Sequence, residues 1–286
     1  MKSLLINPVL NKEFKLRFRS LRTFMGLLSY LIAMGLVVIG FIIIEMIANG
    51  GGGYFRPSQS RTMFMVLSYL QFFLILFITP GLTAGVISGE RERQTLNIML
   101  TTVQSSSSII ISKLISSISY LILLIFASLP LYSFVFLFGG VSPATVAKVM
   151  GFYLFATLAF GSIGVLCSTL IRRTIVSVIT TYGITLFLTG GTAFLFSISM
   201  VYTQSGVNLA NPLSPVPYFF AMMNPIIVFT GLFDPEFHRV MTNQMGISFP
   251  LLWSFVIVYS LITAGALLYS IKKLRPGGKK KSRRKG

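Results

Sequence analysis

Side chains able to perform acid–base or metal chemistry are scarce in this sequence, which contains six acidic residues and one histidine. The nearest approach to a ligand cluster is Asp234, Glu236 and His238, whose spacing of two would place them on one side of an extended segment. Pro235 interrupts that pattern, so we expect no metal site there.

The phosphate-binding pattern Gly-x-x-x-x-Gly-Lys-Ser/Thr is absent. We therefore do not expect this chain to be an enzyme that hydrolyses ATP by itself.

The most distinctive segment is charged, amphipathic and flanked by long apolar runs. It reads ISGERERQTLNIMLTT over residues 87–102, and its spacing predicts a short helix over about 90–100. The apolar face of such a helix needs cover, either from a second protein or from the helix ends of this chain. The candidate contact residues are Glu90, Arg91, Glu92, Arg93, Thr95, Leu96, Met99 and Leu100. The alternative is that the four charges are only solvated at a helix end.

The composition indicates that the charged segment is held between membrane-spanning helices. The chain has 286 residues, of which 54% are hydrophobic and only 10% are charged, too few for a water-facing surface. Runs of about 20 apolar residues can cross a hydrocarbon core of about 30 Å. Six such runs occur, at about 23–48, 62–87, 109–138, 146–171, 174–201 and 247–271. We predict an all-α polytopic membrane protein with one transmembrane domain over 1–271 and a disordered polybasic cytoplasmic tail over 272–286.

The basic residues predict the orientation. If the amino terminus is cytoplasmic, all but four of the 24 lysines and arginines fall on the cytoplasmic side, the four being Arg56, Arg61, Lys148 and Arg239. We therefore predict a multi-pass protein of the cell membrane with both termini cytoplasmic, and a first span that is retained rather than cleaved as a signal. This topology, with contact to anionic lipids, accounts for the net charge of +18, so we expect membrane lipids and no nucleic acid as partners.

Residues 8–22, before the first span, are also amphipathic. Leu10, Phe14 and Leu21 share one helical face, Phe18 lies beside it, and basic residues cover much of the rest. This pattern predicts an interfacial helix whose apolar face meets acyl chains and whose cations meet phosphates. The alternative is a basic anchor that only sets the topology.

A proline and three glycines end the second span. Gly81, Gly85 and Gly89 are spaced by four and share a helical face, which favours close approach of another helix. Pro80 removes one helical hydrogen bond, so it predicts a kink or hinge there. Plain helix packing is the alternative to a hinge.

Pro80 and the glycines, followed by ISGERERQTLNIMLTT, resemble the signature of type-2 ATP-binding-cassette export permeases. The amino-terminal NPVLNKEFKLRFRSLR is similar to the connecting helix of that family. Six spans and a long outer loop over 202–246 extend the resemblance over nearly the whole chain.

The resemblance implies a permease subunit that pairs with a second six-span subunit, identical or different, and with separate ATPase subunits. Residues 90–100 would be the coupling helix. Glu90, Arg91 and Glu92 would make charged contacts with the ATPase, while Leu96 and Met99 would fill its apolar groove. This chain would bind no cofactor, because ATP and Mg would lie on the partner ATPase.

The spans indicate the class of cargo. A path lined by Phe, Met, Ser and Thr without buried charge favours an amphiphilic or hydrophobic cargo such as a lipid, an antimicrobial peptide or a drug. Two alternatives are a non-transporting anchor or sensor that recruits an ATPase and an ion-coupled secondary transporter. The second is disfavoured because its spans should contain an ionisable relay residue.

Overall fold

The protein is described here from a computed structural model that covers residues 20–48, 57–96, 105–137, 139–204, 215–234, 236–237, 247 and 249–274. In these residues the regular structure is helical. Six helical stretches are long and apolar enough to cross a membrane: Thr23–Ala48, Pro57–Glu92, Ser106–Ser133, Pro143–Leu170, Thr174–Tyr202 and Leu251–Leu274. The predicted all-α polytopic architecture with six spans is thereby confirmed.

The helices are α1 (Leu21–Ala48), α2 (Pro57–Thr83), α3 (Ser88–Glu92), α4 (Ser106–Ala127), α5 (Leu129–Leu137), α6 (Pro143–Leu170), α7 (Thr174–Leu186), α8 (Thr192–Gln204), α9 (Val216–Met223), α10 (Pro225–Thr230) and α11 (Leu251–Leu274), with a π-helical turn at Phe187–Gly191 between α7 and α8. The third predicted run is interrupted at Ser128, two residues before Pro130, whose ring disfavours helical continuation. The sixth begins at Leu251 rather than 247, directly after Pro250.

Helix α6 is the centre of the bundle and packs against α2, α4, α7 and α11. Its inner face joins an aromatic core. The Phe229 ring lies 4.7 Å from the Phe72 ring and 5.3 Å from the Phe152 ring, measured between centroids, and Phe152 lies 5.3 Å from Phe255. Because Phe229 belongs to α10, part of the predicted outer loop packs inside the bundle.

Helix α1 lies at the periphery, where it contacts α2, α4 and α5 and exposes much of its apolar surface. Leu21, which we expected on the interfacial helix, is the first residue of α1 and is 78% exposed. The other predicted residues of that helix, Leu10, Phe14 and Phe18, lie outside the described residues, as does most of the polybasic tail.

The two ends of the bundle differ in charge. We call one the Arg-rich end, and its exposed or half-buried cations are Arg91, Arg93, Arg172, Arg173, Lys272 and Lys273. An apolar cluster contains Ile87 and Leu96, which flank α3, together with Leu274 of the last turn of α11, so these two parts of the chain lie at the same end. The described cations of the opposite end are Arg61 and Lys148.

Candidate functional site

The predicted coupling segment begins with a four-residue break between α2 and α3. Two serines hydrogen-bond to its backbone. Ser168 Oγ accepts hydrogen bonds from the N–H groups of Ile87 and Ser88 at 2.8 and 2.9 Å, and Ser177 Oγ donates to the carbonyl of Ala84 at 2.7 Å. Buried backbone groups need such partners. The break is therefore a defined structure tied to α6 and α7.

The three glycines of the second span all face α7. A Cβ atom added at Gly81 would lie 3.0 Å from Tyr182 Oη, one at Gly85 3.2 Å from Thr174 Cγ2, and one at Gly89 3.8 Å from Thr174 Oγ1. A side chain at Gly85 would require the Thr174 side chain to shift. The glycine stripe therefore allows the end of the second span to pack closely on the start of the fifth.

Helix α2 does not end at Pro80. It continues to Thr83, and the break follows at residues 84–87. Beside the proline, Thr79 Oγ1 donates to the carbonyl of Ile75 at 2.6 Å, and Thr83 Oγ1 donates to the carbonyl of Thr79 at 2.8 Å. Threonine hydroxyls that bond to the preceding turn are a recognised cause of local bending. The α-helical geometry is interrupted between Pro80 and Gly89, at residues 84–87. The backbone of this region hydrogen-bonds to Ser168 of α6 and Ser177 of α7.

Glu90 forms a partly buried ion pair with Lys113 of α4. Its Oε1 lies 2.8 Å from Lys113 Nζ, and the Lys113 side chain is only 5% exposed. The Thr95 hydroxyl donates to the other carboxylate oxygen. A lysine buried in an apolar helix requires a partner, and Glu90 provides it. Glu90 thus contacts this chain rather than lying free on the surface.

Arg91 and Glu92 bond to the two helix ends that flank the three-residue α6–α7 turn. Arg91 donates to the carbonyl of Thr169 at 3.1 Å, near the C-terminus of α6. Glu92 accepts from the N–H of Thr174 at 2.8 Å and from its hydroxyl at 2.7 Å, at the N-terminus of α7. A cation at a helix C-terminus and an anion at a helix N-terminus are both favourable. The two charges therefore bind the coupling segment across this turn.

Leu96 is buried. It is 6% exposed and belongs to an apolar cluster with Ile109 and Ile110 of α4, Val165 of α6 and Leu274 of α11. Of the two kinds of cover expected for the apolar face, the helix ends of this chain therefore cover Leu96. Met99 and Leu100 lie outside the described residues.

The surface left for a partner is polar and basic. Arg93, Gln94 and Thr95 are exposed, and so are Arg172 and Arg173 on the neighbouring α6–α7 turn. Gln94 has a φ of 60°, a left-handed conformation that is uncommon for a residue other than glycine and that ends α3. The exposed residues lie between Glu92, which bonds to α7, and Leu96, which is buried.

Sequence reasoning missed the partners that bind the segment. Ser168, Ser177 and Thr174 are ordinary residues of apolar spans, and no pattern distinguishes them from other hydroxyl side chains. Lys113 did carry a signal, because it stands within an apolar run and would need an anion when buried.

Asn224, which was also missed, connects the outer loop to the fifth span. The side chain is fully buried, and its Nδ2 donates to the carbonyl of Thr189 at 2.5 Å and to Thr192 Oγ1 at 2.9 Å. Its Oδ1 accepts from the N–H groups of Ile226 and Ile227 at 2.8 and 3.0 Å, which caps α10. One amide thus joins the π-helical turn, where backbone bonding is irregular, to the helix that carries Phe229.

A further polar group lies inside the bundle at Gln71 of α2, which is 1% exposed. Its Oε1 accepts a hydrogen bond from Ser128 Oγ at 3.0 Å. Its amide nitrogen has no hydrogen-bond partner within the described residues. The bundle interior therefore contains an uncharged donor next to its aromatic core.

The acidic grouping near the outer loop has a simple local structure. Asp234 Oδ1 accepts a hydrogen bond from the backbone N–H of Glu236 at 3.0 Å, and His238 lies outside the described residues. Among the residues that the structure describes, no three His, Cys, Asp or Glu side chains are grouped as metal ligands would be.

Comparison of the sequence with models of known protein families finds no match. Comparison with curated proteins finds no match either.

Proposed function

We propose that this chain is the membrane-spanning permease subunit of an ATP-driven exporter and that a separate ATPase docks at the Arg-rich end. The observation that supports this most is the attachment of residues 84–96 to three spans at once. Glu90 contacts α4, Arg91 contacts α6 and Glu92 contacts α7, while the segment continues directly from α2. A force applied to the segment would therefore act on four spans together.

The exposed residues Arg93, Gln94 and Thr95 are where the ATPase would act. Arg172 and Arg173 of the α6–α7 turn are also exposed, so the surface is basic and would complement an acidic surface on the partner. Closure of two ATPase subunits around ATP and Mg would move this surface and switch the paired permeases between inward and outward access. Glu90, Arg91, Glu92 and Leu96 would transmit the movement rather than form the contact.

The same charge distribution supports the orientation. The Arg-rich end would be cytoplasmic under the positive-inside rule, which places both termini on that side of the cell membrane. The bundle would pair with a second six-span subunit. An interior of aromatic rings, hydroxyls and the Gln71 amide favours an amphiphilic or hydrophobic cargo.

The first experiment is affinity purification of the tagged chain from its native membrane in mild detergent, followed by mass spectrometry. We expect a stoichiometric ATP-binding-cassette ATPase, and the same preparation reports whether the second permease is the same chain. Repeated recovery without an ATPase would contradict the proposal. An ATPase that copurifies while reconstituted vesicles move no amphiphile would instead indicate an anchor or sensor.

Docking is best tested at exposed basic residues of this surface. Arg93→Glu combined with Arg173→Glu reverses two exposed charges, and we expect it to reduce ATPase recovery about tenfold. Thermal unfolding of the same variant separates lost docking from lost stability, because Arg93 interacts with Glu90 and Arg173 with Glu92. Lys148→Glu, at the opposite end of the bundle, is the matched control and should leave ATPase recovery unchanged. Undiminished recovery with the double variant would exclude this surface as the docking site.

A further inference from the structure

An apolar groove of about 240 Å³ lies between α6 and α11 near the opposite end of the bundle. Its walls come from both helices and from the loop that follows α10. The residues that line it are Lys148, Gly151, Phe152, Phe155, Leu232, Leu252, Trp253 and Val256. Apart from Lys148, the lining consists of apolar and aromatic side chains and one glycine. Pockets that enclose a whole drug-sized ligand measure roughly 300–1,000 Å³, so this groove suits one part of an elongated molecule.

The groove lies at a depth where a lipid headgroup meets the hydrocarbon. Helix α6 has 28 residues, which corresponds to about 42 Å and exceeds a core of about 30 Å by some 6 Å at each end. Lys148 is the sixth residue of α6 and Trp253 the third of α11, which puts both near the hydrocarbon boundary. Tryptophan and lysine are the residues that favour this boundary.

Lys148 supplies a charge that the groove itself does not neutralise. The side chain is exposed, and within the described part of the chain the ion pair joins Lys113 to Glu90 and none involves Lys148. The acidic residues of the adjoining loop are Asp234 and Glu236, which follow Leu232. Along α6, Lys148, Phe152 and Phe155 succeed one another at helical spacing, so an apolar track leads from the cation towards the membrane interior.

We infer that this groove binds an anionic phospholipid, with the headgroup phosphate at Lys148 and one acyl chain along Phe152, Phe155 and Val256. A cation at the boundary and an apolar track beneath it match the two parts of such a lipid. The inference does not depend on the proposed export function, because it concerns a site on the membrane-facing seam of one chain.

Gly151 makes the site testable. A Cβ atom added at Gly151 would have no protein atom within 4 Å, so Gly151→Leu introduces a side chain at the groove from a position where the Cβ itself meets open space. Replacing glycine in a helix interior also favours the helix. Gly265 of α11 is equally open but does not line the groove, and Gly265→Leu is therefore the matched control.

The chain contains a single tryptophan, and it lines the groove. The experiment reconstitutes the full chain into phosphatidylcholine vesicles and measures quenching of Trp253 by phosphatidylglycerol brominated on its acyl chains, compared with brominated phosphatidylcholine. We expect phosphatidylglycerol to bind about fivefold more strongly, as one basic side chain near an anionic lipid would produce. Lys148→Gln and Gly151→Leu should each reduce this ratio to about one, and Gly265→Leu should leave it unchanged.

Each other result overturns the inference. A ratio of one in the unaltered protein means that no anionic site exists beside Trp253. An elevated ratio that survives Lys148→Gln assigns the preference to another cation. An elevated ratio lost with Lys148→Gln but kept with Gly151→Leu shows attraction to surface charge without use of the groove. The measurement includes neither an ATPase nor a transport step, so its failure and that of the export proposal are distinguishable.

Discussion

The Glu92 carboxylate accepts two hydrogen bonds from Thr174, one from its backbone N–H at 2.8 Å and one from its hydroxyl at 2.7 Å. Thr174 is the first residue of α7, so an acidic residue from the end of the second span caps the fifth. Side-chain capping of this kind normally comes from a residue next to the helix in sequence. Here the capping residue lies 82 positions away. The start of α7 is therefore capped only when the bundle is packed so that Glu92 reaches it.

Loss of this cap should loosen the start of α7. We expect Glu92→Gln to raise the rate of amide hydrogen exchange in residues 174–177, because the favourable charge at the helix N-terminus is removed. Thr174→Val, which keeps the backbone N–H but removes the hydroxyl, should have a smaller effect. The measurement is hydrogen exchange with mass spectrometry in detergent. Unchanged exchange in both variants would mean that the cap does not order this helix end.

The Glu90–Lys113 pair should respond asymmetrically to substitution. Glu90→Gln leaves a charged lysine that is 5% exposed without its anion, and we expect a loss of about 1.5–3 kcal/mol in unfolding free energy. Lys113→Met leaves Glu90, whose side chain is 26% exposed and can regain water, so the loss should be smaller. The double variant should recover most of the stability. Thermal unfolding in detergent ranks the three, and equal losses for the single variants would refute the asymmetry.

Close packing at Gly85 should be required for the position of the coupling segment. Gly85→Leu must displace α7, since even a Cβ atom there lies 3.2 Å from Thr174 Cγ2, and overpacking of this kind costs about 1–3 kcal/mol. Gly183→Leu, on α7 where a Cβ atom meets nothing within 4 Å, is the matched control and should be neutral. In the proposed exporter, Gly85→Leu should slow cargo movement while the ATPase stays bound. If Gly85→Leu changed neither stability nor cargo movement, close packing of the glycine stripe against α7 would not be required.

Asn224 should be the polar residue of the predicted outer loop that is most sensitive to substitution. Asn224→Ala removes four hydrogen bonds from buried groups, and each group left without a partner costs about 1–3 kcal/mol. Thr192→Val removes only one of the acceptors, so its decrease in melting temperature should be clearly smaller. Scanning fluorimetry measures both. Equal shifts would indicate that the π-helical turn does not depend on the asparagine.

Helix content and the number of spans were predictable because they follow from local composition. Long apolar runs such as those of α2 and α6 have one stable form in a membrane, in which each backbone group is bonded within its own segment. The ends were less predictable, as the interruption at Ser128 and the late start at Leu251 illustrate, because prolines two residues away or less decide them.

For the coupling segment, the sequence predicted the residues involved but not the contacts that they make. Its charges and apolar residues were identified, but Leu96 was assigned to a partner and is buried in this chain. Periodicity states which face of a helix is apolar, not what covers that face. The cover came from α4, α6 and α11, whose positions depend on the packing of the whole bundle.

The sequence by itself determined the class of protein, the six spans, the concentration of positive charge towards one side and the small residues that permit close packing. These are properties of composition and spacing, which act over one helix at a time. Only the tertiary structure decided that Glu90 pairs with Lys113, that Glu92 caps α7, and that Asn224 joins the outer loop to the π-helical turn. Each of these contacts joins residues at least 23 positions apart, and such pairings arise because buried polar groups take the partners that helix packing brings within reach.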